Sequence, residues 1–177
     1  ADRLATWLME QPWSGAMVAS DTLGQIDGTL PASLVGVEGP RAPDIAMSFD
    51  WNSSPNDAGY AGHHYNSGLL AGQGNHGSMS RHEQRCAFIM AGPTIKQGMV
   101  SSAPSGNVDV APTILRLLGV DAPVGMDGRV LEEALIDGPA LDEVEWSSET
   151  HVAERDLANG NYRQQIMVSS IGSTDYI

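Results

Sequence analysis

The chain has 177 residues, which is enough for one domain with a hydrophobic core. Hydrophobic residues make up 41% of the sequence and charged residues 18%, a composition that indicates a globular protein and excludes a largely disordered one. The 22 acidic residues against 9 lysines and arginines give a formal charge of -13, which argues against a nucleic-acid polymer as partner but leaves small anionic substrates open, since bound metal ions can invert the local field.

The first part of the chain alternates between helix and strand patterns. Leucine and tryptophan recur at helical spacing over residues 4–8, and Pro12 ends that run. Residues 16–19 predict a buried strand, and residues 41–49 predict a second one with a proline at its entrance. Between them we expect surface loops with one short strand near residues 33–37. A helix followed by a short apolar strand is the unit of an α/β sheet.

Residues 50–75 are rich in Asn, Gly, Ser and His and poor in aliphatic side chains, and we expect them to form a long loop. Loops of that length are usually functional or disordered. The segment contains the adjacent pair His63 and His64. Adjacent side chains of an extended segment point to opposite faces, so the two histidines cannot easily share one metal ion. We regard them as candidate substrate or metal contacts, with exposed loop residues as the alternative.

A glycine-rich segment follows, in which His76 stands between Asn75 and Gly77. The apolar run at residues 88–90 then ends in Gly-Pro, and it predicts a buried strand that stops at a turn. Glycine allows backbone to approach an imidazole closely, so a histidine in such a loop beside a core strand is a candidate metal ligand. The alternative is a surface or hydrogen-bonded histidine. His82 is expected to face solvent or to support a metal ligand.

The clearest helix is predicted over residues 109–118. Asp109 is a suitable cap, proline is tolerated in the first turn, and Gly119 is placed to end the helix. The helix carries one apolar face, formed by Ile114, Leu117 and Leu118. Because capping explains Asp109, we do not assign it to a metal ion.

The last third of the chain predicts shorter elements. A short helix is expected to start at residues 127–129 and to end near residues 137–139, and the acidic run at residues 142–149 is expected to be a solvated face. Residues 162–169 and 173–177 predict a terminal hairpin or edge strands around an Ile-Gly turn. No composition shift divides the chain, so we expect residues 1–177 to form a single domain.

Compartment and membrane attachment are weakly constrained by the sequence. Cys86 is the only cysteine, so no intrachain disulfide can form, and we expect it to be a small buried residue. No apolar run is long enough for a membrane span and no signal peptide is present. We therefore expect a soluble protein with no membrane partner, and both the bacterial cytoplasm and the periplasm remain open.

The order of these motifs resembles the C-terminal part of the alkaline phosphatase superfamily, and within it the type I phosphodiesterase/nucleotide pyrophosphatase branch. The resemblance covers residues 75–135 and is carried by the sequence His76-Gly77-Ser78, the Gly-Pro turn after it, the helix at 109–118 and the later Asp-Gly-Arg. It implies an α/β fold, the C-terminal part of a three-layer αβα sandwich. It also implies a two-metal site, usually zinc, with His76 as the last protein ligand, and an anionic phosphate or sulfate ester as substrate.

Most of the ligand set that the resemblance implies is absent from this sequence. The family supplies an Asp-x-x-x-His run, an Asp-His pair, an early Asp and a Ser or Thr nucleophile. No aspartate stands four residues before a histidine here, and there is no Asp-His pair. Asp21 follows the first predicted strand, but no nucleophile motif follows it, so we interpret Asp21 as a capping or turn residue and Asp44 as structural. No catalytic residue is assigned.

Two interpretations of function follow. In the first, the chain is the C-terminal portion of a metal-dependent hydrolase, is inactive by itself, and has the missing N-terminal portion of the same protein as its partner. His63, His64, His82, Asn75 and Gly77 would then contact substrate or support the metal. In the second, the chain is a non-catalytic α/β interaction domain that kept the fold and lost the site. A Ser-His-Asp hydrolase is disfavoured because no Gly-x-Ser-x-Gly motif is present.

Overall fold

The computed structural model describes residues 1–68, 70, 73 and 76–177. These residues form a mixed α/β structure of helices and small sheets. Its α-helices are α1 (Asp2–Met9), α2 (Arg81–Gln84) and α3 (Val110–Leu118). Its strands are β1 (Ser14–Ala19), β2 (Leu30–Pro31), β3 (Ile45–Phe49), β4 (Trp51–Pro55), β5 (Ala61–His64), β6 (Ser147–Leu157), β7 (Gly160–Ile171) and β8 (Thr174–Tyr176).

The chain divides into two compact units. Unit 1 comprises Ala1–Cys86 and Thr150–Ile166, and unit 2 comprises Ala87–Glu149 and Met167–Ile177. Strands β6 and β7 therefore contribute residues to both units. The described strands form three sheets, with the orders β2-β1-β3, β4-β5 and β6-β7-β8.

The sheet at the centre of unit 1 is built on β1. This strand pairs in parallel with β2 and antiparallel with β3, so that Val18 lies between Leu30 and Ala46. Helix α1 packs beside it through Ala5 and Met9, in a cluster completed by Met17, Ala19 and Ile26. The predicted helix and both predicted strands are confirmed, because each apolar run has a neighbour that covers it.

A glutamine side chain from β7 completes the hydrogen bonding of β1. The Gln164 carboxamide oxygen accepts from the Met17 N–H at 2.8 Å, and its nitrogen donates to the carbonyls of Met17 and Gly28, each at 2.6 Å. Backbone polar groups that leave water must find partners. The Gln164 side chain therefore supplies the hydrogen bonds that a neighbouring strand would otherwise supply to this part of the sheet.

The prediction of a long loop at residues 50–75 is wrong over much of that segment. The chain forms the antiparallel hairpin β4–β5 there, with Trp51 opposite His64 and Asn52 opposite His63. The Asn56 carboxamide oxygen accepts from two N–H groups of the turn that joins the strands. Most residues of the two strands are exposed, and apolar residues do not alternate with polar ones along them, so the sequence lacks the pattern by which strands are recognised.

A buried polar network organises unit 2. The fully buried Asp109 carboxylate accepts from the Gly106 N–H at 2.9 Å, the Arg129 N–H at 2.9 Å and the Tyr176 hydroxyl at 3.1 Å. The predicted capping role is therefore correct in kind and wrong in position, because the carboxylate caps the turn before α3 and makes no capping bond to α3 itself in the described structure. Helix α3 ends as predicted, at Gly119 with a φ of 67°.

An ion pair continues this network. The Arg129 guanidinium binds Glu133 through two parallel hydrogen bonds of 2.8 and 2.6 Å, and their side chains are only 15% and 3% exposed. Burial acts to raise the pKa of the Glu133 carboxyl, but the hydrogen bonds and charge of Arg129 outweigh burial and hold the pKa below its usual value. The network and the buried Leu131 and Leu135 fix the segment predicted as a short helix, which forms only a 3-10 turn at Glu132–Ala134.

Several local predictions are wrong. The described structure has no strand at residues 88–90, and Ile89 is 87% exposed, because an apolar strand needs neighbours that the described residues do not supply there. Residues 33–37 fall mainly in the 3-10 helix Ala32–Val35 rather than a strand. Cys86 is exposed rather than buried. The acidic residues of 142–149 are exposed, as predicted for a solvated face, but the run leads into β6, which was not predicted.

The C-terminal strands are confirmed as β7 and β8, which pair antiparallel around Gly172. No helix within the described ranges is long and apolar enough to cross a membrane.

Candidate functional site

The candidate site lies in unit 1, where β5 meets the segment that leads into α2. Three of the histidines singled out from the sequence lie on the elements that meet here: His64 on β5, His76 in the segment before α2, and His82 on α2 itself. Asn75, also a candidate contact residue, lies outside the described residues.

His64 is held at both ring nitrogens. Its Nδ1 atom lies 3.0 Å from the carbonyl oxygen of Tyr65, and its Nε2 atom lies 3.2 Å from Oε1 of Glu83. The side chains of His64 and Glu83 are 18% and 22% exposed, so the pair is largely buried but can still be reached by solvent. His63, the next residue on β5, is exposed on the opposite face, as the strand geometry predicts.

Glu83 is the site residue that sequence reasoning missed. Its Oε2 atom accepts a hydrogen bond of 2.7 Å from the Ser78 N–H, and the Ser78 carbonyl accepts from the Gln84 side chain at 2.9 Å. A signal was available, because Ser80 and Glu83 match the Ser-x-x-Glu pattern of a helix start, and Ser80 does cap α2. In the structure the glutamate reaches past Ser80 to the backbone of Ser78.

Electrostatics link His76 to the same carboxylate. Burial acts to raise the pKa of Glu83, but hydrogen bonds from Ser78 and the charges of His64 and His76 outweigh burial, so the pKa lies below its usual value. His76 itself is exposed. Its imidazole is therefore near enough to influence Glu83 and open enough to bind an ion.

Gly77 matters for its backbone conformation rather than for close packing. Its φ is +89°, a region that side chains with a Cβ atom rarely adopt. No described atom lies within 4 Å of the place where a Cβ would stand. The expected close approach of another group at Gly77 is thus not found within the described structure. The residue instead turns the chain between His76 and Ser78.

His82 belongs to the hairpin rather than to the ion pair. Its Nε2 atom lies 3.1 Å from the Ser53 hydroxyl, and its ring stands edge-on to Trp51 with centroids 5.6 Å apart. The Arg81 guanidinium lies over the same tryptophan at 5.3 Å from the ring centroid. These contacts fasten α2 to β4, so His82 positions the helix that carries Glu83.

The aspartate set aside as a ligand has a structural role. The Asp21 carboxylate accepts from the Ser33 N–H at 3.1 Å and the Ser33 hydroxyl at 2.8 Å, which confirms the capping interpretation. Across the residues that the structure describes, no group of three or more His, Cys, Asp or Glu side chains is arranged to hold a metal ion. What the structure offers is one imidazole–carboxylate pair, His64 and Glu83, and a second imidazole, His76, whose charge acts on the same carboxylate.

Comparison with known proteins adds no assignment. No protein-family model matches the sequence, and no solved structure matches the fold.

Proposed function

We propose that this chain is the C-terminal portion of a metal-dependent hydrolase of phosphate or sulfate esters, with the three-layer αβα sandwich that the motif order implies. It supplies His76 as a metal ligand and supplies no nucleophile. The observation that carries the proposal is the position of His76, an exposed imidazole that stands directly before the positive-φ turn at Gly77.

A metal ion fits this position in part. Imidazole nitrogen is a common zinc ligand, and a carboxylate whose pKa is held down keeps a negative charge beside it at neutral pH. A catalytic zinc needs about three protein ligands, and a two-metal site needs more. The described residues offer no such complete group, so the proposal places the other ligands in the missing N-terminal portion.

The roles of this chain's residues follow from their contacts. His76 would bind the ion through a ring nitrogen, and Gly77 sets the turn that presents it. Ser78 orients Glu83 through its N–H, and Glu83 places negative charge beside His76. When bound, a zinc pair supplies Lewis acidity that activates a Ser or Thr nucleophile and neutralises charge on the transferring group.

Exposed apolar residues in unit 2 support the proposal that another portion of the protein packs against this chain. The predicted apolar face of α3 is exposed, with Ile114 and Leu117 partly open to solvent and Leu118 70% exposed. Ile89 is also exposed in the segment predicted as a core strand. Ile114, Leu117 and Leu118 share one face of the helix, and an exposed apolar face usually marks a contact surface. A sheet contributed by the N-terminal portion would cover both features.

The test is an assay of hydrolysis with zinc or manganese, using bis-p-nitrophenyl phosphate and p-nitrophenyl sulfate. The chain alone is expected to give near-background turnover, because losing members of a cooperating catalytic set can cost factors of about 10⁴–10⁶. Joined to the upstream part of its coding sequence, it should turn over one of these esters, and His76→Ala should abolish that activity. Activity of the joined protein that survives His76→Ala would refute the assignment of His76.

The second candidate function is a non-catalytic interaction domain. The exposed apolar face of α3 favours it independently of any metal, because a binding surface needs such residues and catalysis does not. The metal content of the purified chain separates the two candidates. Zinc that is retained and then lost on His76→Ala supports the hydrolase, whereas a metal-free chain whose upstream sequence lacks the ligand motifs supports the interaction domain.

A further inference from the structure

Each ring nitrogen of His64 faces an oxygen atom that accepts hydrogen bonds. The Tyr65 carbonyl can only accept, so the Nδ1 atom 3.0 Å away from it carries a proton. In a neutral ring the Nε2 atom then has a free lone pair, and that atom faces the Glu83 carboxylate at 3.2 Å. An ionised carboxylate also only accepts hydrogen bonds. Two acceptors this close require a positive species between them, either a proton or a metal ion.

The surroundings of this pair have the features of a metal site. Metal-binding histidines usually donate their second ring N–H to a backbone carbonyl, and metal-binding carboxylates are themselves hydrogen-bonded. His64 meets the first condition through Tyr65, and Glu83 meets the second through the Ser78 N–H at 2.7 Å. Both acceptor atoms are thus oriented by backbone, which is fixed independently of whatever they bind.

The spacing of the two acceptors agrees with a shared ion. Zinc binds histidine nitrogen at about 2.0–2.1 Å and carboxylate oxygen at about 2.0–2.2 Å in tetrahedral geometry, so two such ligands of one ion stand about 3.3–3.5 Å apart. The observed Nε2–Oε1 separation is 3.2 Å.

We propose that His64 and Glu83 bind the same divalent ion of the zinc class, a site that the resemblance to phosphodiesterases does not assign. His76, whose charge acts on the same carboxylate, is a candidate for a third ligand. The proposal goes beyond the hydrolase, because it needs neither a nucleophile nor a missing portion of the chain.

The experiment measures zinc binding by the full chain at pH 7.5, above the ordinary pKa of histidine. Competition with a chromophoric chelator gives the affinity of the chain and of the variants His64→Ala and Glu83→Gln. His63→Ala is the matched control, since His63 is the neighbouring histidine on the opposite face of β5. Each ligand variant should weaken zinc binding at least about 10-fold, because losing even a residue that only orients a metal ligand typically weakens binding by about 10–100-fold. The control should bind like the parent chain.

A second measurement needs no variant and so does not depend on how the variants fold. Long-range proton–nitrogen NMR of the histidine rings should show zinc moving the Nε2 resonance of His64 while its Nδ1 keeps a proton, with His63 unchanged. If zinc leaves His64 unmoved, or if neither ligand variant weakens binding, the pair is an imidazolium–carboxylate ion pair and the proposal is overturned.

A His76→Ala arm separates this proposal from the hydrolase. Binding that survives His76→Ala but is lost in the His64 and Glu83 variants upholds the pair and counts against His76 as a ligand of that ion. Binding that is lost only in His76→Ala overturns the pair and leaves the hydrolase standing. Loss in all three variants upholds the pair and makes His76 its third ligand.

Discussion

The substitution Glu133→Gln tests how far a buried ion pair holds unit 2 together. Glu133 accepts both hydrogen bonds of the Arg129 guanidinium, and its side chain is 3% exposed. Glutamine has nearly the same shape, so the change opens no cavity. It replaces one acceptor oxygen by a donor amide and removes the charge that balances Arg129.

The expected loss follows from what remains after the change. Removing one partner of a buried pair leaves an uncompensated charge, which costs about 3–5 kcal/mol in the free energy of unfolding. For a protein of 150–250 residues, each kcal/mol lowers the melting temperature by about 2–4 °C. We therefore expect Glu133→Gln to melt about 6–20 °C below the parent chain.

The matched control is Glu154→Gln. Glu154 also pairs with an arginine, Arg163, at 2.7 Å, but the two side chains are 53% and 49% exposed. Exposed pairs contribute about 1 kcal/mol or less, so the control should melt within a few degrees of the parent chain. Thermal unfolding followed by circular dichroism measures both variants. Equal shifts in the two would refute the claim that burial decides the magnitude.

The same pair sets a pH dependence. Because the folded-state pKa of Glu133 lies below its usual value, the stability it contributes is present above about pH 4.5 and is lost as the pH falls through the folded-state pKa. Glu133→Gln lacks that contribution at every pH. The gap between the parent chain and the variant should therefore be widest near neutral pH and narrow on acidification, and a gap that widens in acid would contradict the direction of the shift.

Three further predictions concern single residues. Gln164→Ala should cost about 1.5–4.5 kcal/mol in urea unfolding, since it removes three hydrogen bonds worth about 0.5–1.5 kcal/mol each. The same change at its exposed neighbour, Gln165→Ala, should cost little. Burial and then the charge of Asp109 raise the pKa of Tyr176 to about 12, so the free energy of unfolding should fall as the pH rises from about 10 through 12. Between pH 8 and pH 11, the free energy of unfolding of Tyr176→Phe should fall less than that of the parent chain. Gly77→Ala should lower the free energy of unfolding by about 1–2 kcal/mol because Gly77 has a positive φ. An unchanged melting temperature would contradict that backbone conformation.

The elements found from sequence are those with a regular apolar spacing and a clear boundary. That spacing matches burial in β1, whereas the apolar face of α3 is exposed. Strand β1 ends in buried Met17, Val18 and Ala19, and its apolar run predicts that directly. Helix α3 is recognised from its apolar spacing and from Gly119, which ends it. Such elements can be predicted because one stretch of sequence contains both the pattern and its boundaries.

Strand β6 shows why other elements escape prediction. Over residues 150–157 its side chains alternate between exposed and half-buried, but the alternation is not one of polarity. Val152 faces outward, and Arg155 faces inward, where it binds the Asp2 carboxylate at 2.7 Å. The charge partner that makes an inward arginine acceptable is far away in the sequence. No local pattern could therefore reveal this strand.

The residues of the candidate site also divide into those that the sequence reveals and those that only the fold reveals. His76 is recognisable from its glycine-rich setting and from the motifs that follow it, whereas the importance of Glu83 depends on β5 lying against the start of α2. His64 becomes informative only once its Nδ1 is seen against a carbonyl and its Nε2 against a carboxylate. The sequence can name candidate ligands, but only the fold determines which of them share one ion.

Unit 2 combines a buried ionic network with exposed apolar residues, and the two features are related. Residues that would normally supply hydrophobic stability, such as Leu118 and Ile89, lie largely in water. The free energy of this unit therefore depends more heavily on Asp109, Arg129 and Glu133 than it would with the apolar face covered. A partner that binds the folded state stabilises it by mass action. Covering the face of α3 should accordingly raise the stability of Glu133→Gln and of the parent chain alike, because the network and that face are separate sources of stability.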